Sequence, residues 1–216
     1  MTRRGRVALK TAVWGACLTP LVRLAWRAAG DDLGPNPIDL VTDTLGRWAL
    51  RLLLASLAMT PLRILFGLGW PALLRRLLGL FAFAYAVLHF TVWIALDHVF
   101  EWGPMLADVV KRPYVTVGLM ALVLMVPLAA TSTAGMVRRL GGTAWKRLHR
   151  LAYAAAVLAA LHYLWLAKVG VVDPYVYAGV LVLLLGLRLV DATRRLIRRR
   201  RAMRGKFSTG ARAGAV

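Results

Sequence analysis

The sequence has 216 residues, of which 60% are hydrophobic, with a mean hydropathy of +0.64 and a formal net charge of +20. A soluble domain of that length could not hide so much apolar surface, which excludes an ordinary globular enzyme. The single cysteine, Cys17, excludes both a disulfide framework and a thiolate metal cluster within one chain.

Six apolar stretches are each about long enough to cross a bilayer as a helix. They cover residues 7–26, 48–65, 77–96, 114–130, 148–168 and 175–190. The first follows Arg3, Arg4 and Arg6 and so imitates a signal peptide, but Lys10 interrupts it and no small-residue cleavage site follows, so it is expected to be retained. The stretch 28–44 is rich in Gly, Pro and Asp and predicts a loop. Residues 97–113 predict an acidic loop, and 135–150 a basic one. The tail 197–216 is a run of basic residues, expected to be disordered beyond Lys206. The expected fold is therefore all-α: an integral membrane six-helix bundle over 1–196, followed by a basic tail, with no soluble domain.

Charge orients the bundle. Of the 29 Lys and Arg residues, 22 fall at the N-terminus, the 2–3 loop, the 4–5 loop and the C-terminus, which six spans place on one side. Eight of the nine acidic residues fall on the other. Positive residues mark the cytoplasmic side, so both termini are expected to be cytoplasmic. The basicity then serves membrane lipids with anionic headgroups. No exposed basic face on a soluble scaffold exists, so no nucleic acid partner is expected.

Ionisable residues inside membrane spans are costly and mark function. His89 lies twelve residues into the third span and His162 fourteen into the fifth. At about 1.5 Å per residue those depths are roughly 18 and 21 Å, equal within the error of helix boundaries. The residues alone leave two readings open. One is a haem held by two axial imidazoles. The other is a pair of structural histidines hydrogen-bonded between helices. Coordination uses one ring nitrogen and leaves the other to donate to a carbonyl or hydroxyl.

His149 sits at the basic mouth among Lys146, Arg147 and Arg150, where a headgroup contact is the simpler reading. A second haem would need a partner at its depth on the third span, where the register offers Arg76. His98, in the acidic loop, reads as a solvated loop residue. The eight tryptophans cluster near span ends as an aromatic belt. No phosphate-binding loop, dinucleotide fingerprint or zinc spacing occurs, so electrons would have to come from elsewhere.

The stretches NPIDLVTDTLGRWAL, TPLR, RRLLGLFAFAYAVLHF, KRPYVTVG, LAATSTAGMVRRLGG, WKRLHRLAYAAAVLAALHYLWLAK and PYVYAG, in that order and spacing, resemble the MsrQ (YedZ) family. These are haem-binding membrane subunits of bacterial protein-methionine-sulfoxide reductase systems, within the ferric-reductase-like transmembrane group. The resemblance covers about residues 8–196. It implies a protein of the bacterial inner membrane that binds haem b and is associated with FMN. It implies that electrons pass from the quinone pool, or from a cytosolic flavin reductase, to a periplasmic molybdopterin-containing methionine sulfoxide reductase subunit. That partner carries out the reduction and so repairs oxidised periplasmic proteins. The family's histidines fall on His89, His149 and His162, with His89 and His162 as haem-iron ligands and His149 as a further ligand or part of an FMN or quinone site. A stand-alone transmembrane ferric or quinone reductase is the alternative. The acidic outer loops would dock the soluble acceptor, with their charges setting encounter rate.

Reporter fusions test the topology. A cytoplasmic reporter fused at the C-terminus is expected to be active, and a periplasmic reporter in the 97–112 loop likewise. A periplasmic C-terminus would reverse every depth above.

Overall fold

The computed structural model describes the backbone of residues 2–213 and the side chains of 2–198. Nine α-helices occur in it: α1 (Arg3–Ala29), α2 (Pro37–Phe66), α3 (Pro71–Val92), α4 (Trp102–Lys111), α5 (Pro113–Ala130), α6 (Ala134–Leu140), α7 (Gly142–Leu148), α8 (Leu151–Trp165) and α9 (Asp173–Ala213). A π-helical turn, Trp93–Asp97, extends α3. No strand occurs among the described residues. The chain forms two compact units, residues 1–181 and 182–216, the second being the C-terminal part of α9.

Five helical segments are long and apolar enough to cross a membrane: Arg3–Ala29, Pro37–Phe66, Pro71–Asp97, Pro113–Ala130 and Asp173–Arg198. The stretch expected as the fifth span becomes the 15-residue α8, separated from α7 by a turn at His149 and Arg150. At 1.5 Å per residue α8 alone is about 22 Å long, short of a full hydrocarbon core. The α2 helix begins eleven residues before its expected start. Pro37 at its first turn has the φ a helix needs and no N–H to lose, and Asp39 follows in the same turn. Pro71 and Pro113 start α3 and α5 in the same way. Gly67, with φ +65°, ends α2 in the left-handed conformation that glycine adopts without strain. The basic tail, for which disorder was expected, falls mostly on residues outside those described in full.

The core of the first unit lies between two helix pairs. The α2 helix packs along α3, and α5 along α8. Leu45, Leu50, Leu53, Leu54 and Leu57 of α2 are buried, as are Leu74, Leu78, Phe81, Ala82 and Tyr85 of α3. The second pair buries Ala121 and Met125 with Ala155, Ala156 and Ala160. Small residues at a helix contact let backbones approach closely, which lipid tails cannot reward by any hydrophobic effect. Polar ties add register. Ser56 donates to the Arg75 carbonyl at 2.8 Å, and Tyr85 to the Cys17 carbonyl at 2.6 Å. Arg51 donates to the Tyr177 hydroxyl at 2.6 Å, and Arg47 bridges Asp43 (2.6 Å) and Asp173 (3.8 Å). These last contacts fasten the start of α9 to α2.

The Tyr85 hydroxyl makes the buried hydrogen bond that holds α1 to α3. Tyr85→Phe is expected to destabilise the detergent-solubilised protein by about 1 kcal/mol. Thermal unfolding measures it.

Candidate functional site

His89 and His162 face each other across the bundle. Their ring centroids are 6.2 Å apart and their planes stand at 78°. The His89 Nδ1–H donates to the Thr42 carbonyl of α2 at 2.8 Å. The His162 Nδ1–H donates to the Tyr114 carbonyl of α5 at 2.7 Å. A carbonyl oxygen can only accept, so both tautomers are fixed and both Nε2 lone pairs are left over.

The two histidines are held by the same local device. Within a helix the carbonyl of residue i already accepts the N–H of residue i+4. Here residue i+4 is a glycine in both cases: Gly46 after Thr42, and Gly118 after Tyr114. Each glycine lies under the imidazole that reaches the carbonyl. A Cβ on Gly46 would stand 3.0 Å from His89 Cε1 and Nδ1. A Cβ on Gly118 would stand 2.8 Å from His162 Nδ1 and 3.0 Å from Cε1. The absent side chain opens the path by which the ring reaches the second lone pair of the carbonyl. Beside His89, the Thr42 hydroxyl is buried with no hydrogen-bond partner among the described residues.

This donor set suits one kind of centre. Among the described residues no group of three His, Cys, Asp or Glu could hold a metal ion. Two imidazoles alone complete an iron centre only when a macrocycle supplies the remaining ligands, as haem does. The two rings, 6.2 Å apart between centroids, would supply the imidazole pair that such a centre needs.

His149 lies apart from this pair, in the turn before α8. Its ring stacks on Trp145, with centroids 3.9 Å apart. Its Nε2 is 3.1 Å from Thr131 Oγ1. That hydroxyl spends its proton on the Pro127 carbonyl at 2.6 Å, so the imidazole Nε2–H is the donor. Trp145 Nε1–H donates to the Thr131 carbonyl at 3.0 Å. Burial first, and then the charge of Arg75, push the His149 imidazole below its ordinary value, so it is neutral at pH 7. Arg75, on α3, is the cation that bears on it.

His98 departs from expectation. It is not a solvated loop residue: its side chain is only 12% exposed, 3.4 Å from the Asp108 carboxylate and packed on Trp93 with ring centroids 4.5 Å apart. Nor are the outer carboxylates a bare acidic face. Asp32, Asp43, Asp108 and Asp173 each have an ion-pair partner. The sequence reading missed Gly46 and Gly118. Their signal was present, since an isolated glycine inside an apolar helix marks a close approach, but nothing in the pattern said what approaches.

Known proteins match this sequence. Residues 45–160 match the family described as "Ferric reductase like transmembrane component". That range takes in His89 and His149 and stops two residues before His162. The chain is 55% identical to the protein-methionine-sulfoxide reductase heme-binding subunit MsrQ of Rhodospirillum rubrum, over 89% of this chain and 91% of the relative. It is 48% identical to the protein of that name from Ralstonia nicotianae, over 84% and 85% of the two chains. With that of Caulobacter vibrioides it shares 43% identity over 84% and 87%.

The glycine device carries its own test. Overpacking at Gly118→Ala or Gly46→Ala is expected to cost about 1–3 kcal/mol, and Gly118→Ala the more, because its Cβ would stand closer to the ring. Thermal unfolding of the two variants measures the order, with Gly186→Ala, which meets open space, as the neutral control.

Proposed function

Because the chain belongs to the ferric-reductase-like transmembrane family, and within it to the haem-binding MsrQ subunits of protein-methionine-sulfoxide reductase, we propose that it is a membrane electron-transfer subunit whose His89 and His162 hold a b haem. It is a multi-pass protein of the bacterial inner membrane. The observation that carries the assignment is the pair of opposed imidazoles, 6.2 Å between centroids, each with Nδ1 satisfied by a carbonyl.

When bound, haem supplies a carrier that takes and gives one electron at a time. The chain's own residues do the rest. The Thr42 and Tyr114 carbonyls hold the two rings in one tautomer and raise their basicity. Gly46 and Gly118 give the rings room. The buried leucines of α2 and the alanines of α8 keep water from the centre and so set its potential. The six-span topology with cytoplasmic termini rests on the charge distribution. In that orientation electrons enter at the basic face or from the membrane, supplied by the quinone pool or a cytosolic flavin reductase. They leave at the opposite face, to a periplasmic molybdopterin-containing subunit that reduces methionine sulfoxide. His149, with Trp145, Thr131 and Arg75, belongs to the entry side. FMN enters through the family resemblance alone, and no cradle for it is assigned on the described residues.

Haem content and the reduced-minus-oxidised spectrum of single variants test the ligand assignment. His89→Ala and His162→Ala are each expected to abolish the main low-spin haem b signal. His149→Ala is expected to keep most of it while slowing reduction by a cytoplasmic donor at least several-fold. Retention of the signal in both of the first two variants would overturn the assignment.

A further inference from the structure

The α4 helix is turned inside out by the standards of a water-facing helix. Trp102, Leu106 and Val110 recur at four-residue spacing and so share one face. They are 65%, 66% and 83% exposed. Met105, off that stripe, is buried. The carboxylate of Asp108 also turns inward, with its side chain 18% exposed, to meet Arg112 at 3.2 Å and His98 at 3.4 Å. The Val109 carbonyl is taken by the Thr116 hydroxyl. The Asp108 carboxylate and the Val109 carbonyl of α4 are thus spent on the protein, and its apolar stripe faces out. Leu96, Val99 and Phe100, just before α4, are exposed apolar residues too.

Chain connectivity says what covers this stripe. The span Pro71–Asp97 ends five residues before α4, and Pro113–Ala130 begins two residues after it. A ten-residue helix tied this closely to two membrane spans can lie only at the surface where they emerge. Leu96, Met120 and Val123 of those spans are exposed apolar residues as well. Trp102 at one end and Lys111 and Arg112 at the other are the residue types that settle at the boundary between headgroups and acyl chains.

We propose that α4 is an interfacial helix, with the Trp102–Leu106–Val110 stripe seated in the lipid of the leaflet from which α3 and α5 emerge. Such helices bury their apolar face about 5–10 Å into the headgroup and acyl boundary. The His98–Asp108–Arg112 cluster is the clasp that keeps the charged side turned to the protein. Arg112 also donates to the Tyr114 hydroxyl at 3.2 Å, and the Tyr114 carbonyl is the one that orients His162. The lipid seat of α4 therefore steadies the backbone behind one of the two facing imidazoles. It also removes the Trp102–Leu106–Val110 stripe from the surface open to a soluble partner.

The test uses full-length protein carrying Cys17→Ala, in nanodiscs of phosphatidylethanolamine and phosphatidylglycerol. An environment-sensitive fluorophore is placed by Leu106→Cys, by Val110→Cys or, as the water-facing comparison, by Glu101→Cys. The 106 and 110 labels are expected to emit further to the blue than the 101 label. Nitroxide-bearing lipids should quench them strongly, and aqueous iodide at least three-fold less than it quenches the 101 label. Iodide quenching at 106 and 110 equal to that at 101 would overturn the proposal. So would protection at 106 and 110 that arises only when a soluble periplasmic partner is added, which would make the stripe a protein-docking face. Loss of folding in one labelled variant leaves the other to decide.

Discussion

One interaction governs the centre of this molecule: a helix carbonyl that accepts two hydrogen bonds. In α2 and again in α5, the carbonyl four residues before a glycine takes a histidine Nδ1–H in addition to the helical N–H. An imidazole in hydrocarbon must find a partner for its N–H or bear a penalty of about 1–3 kcal/mol. The helix offers that partner at the one place where no Cβ bars the approach. Each ring then has a single orientation and a single tautomer. The closeness of the two rings follows from two glycines on two other helices, and α2, α3, α5 and α8 must all be in register for it. The α2–α3 and α5–α8 pairings are the parts of the fold that set that register.

Around this centre, charge is sorted by depth. The charged side chains near the facing histidines are paired within the bundle: Arg47 with Asp43 and Asp173, and Arg51 with the Tyr177 hydroxyl. Such pairing is what low dielectric demands, because an unpartnered charge there is expensive. Arg51 also lies over the Trp48 ring, at 5.2 Å from its centroid. At the other end, His149 is neutral between Trp145 and Thr131 although cations surround it in sequence. The two ends differ in chemistry: paired carboxylates at one, unbalanced cations at the other. Charge distributed in this way steers encounters and discriminates partners.

Much of this was legible in the sequence. All-helical membrane class follows from composition alone, and the expected spans 7–26 and 114–130 match α1 and α5 to within four residues at each end. The pairing of His89 with His162 was readable because 1.5 Å per residue converts position into depth once charge has set direction. Other features were hidden for physical reasons. The start of α2 at Pro37 was masked because Pro and Asp serve helix starts as well as loops. The break between α7 and α8 at His149 leaves no mark on an apolar run. The burial of His98 depends on Asp108, ten residues away across a turn, which no local pattern encodes. The 97–112 segment reads as acidic in sequence, yet Asp108 is turned inward and apolar side chains are turned out, so counting charges gave the wrong surface.

The central claim is that His89 and His162 share one iron with their planes nearly perpendicular. Electron paramagnetic resonance of the oxidised, purified holoprotein tests it most directly. Near-perpendicular axial imidazoles leave two iron d orbitals almost degenerate and give a highly anisotropic low-spin ferric signal. The 78° between the rings predicts that signal, lost together with the absorption band when either histidine is replaced. A high-spin ferric signal, or the moderately rhombic low-spin signal of parallel imidazoles, would contradict the account.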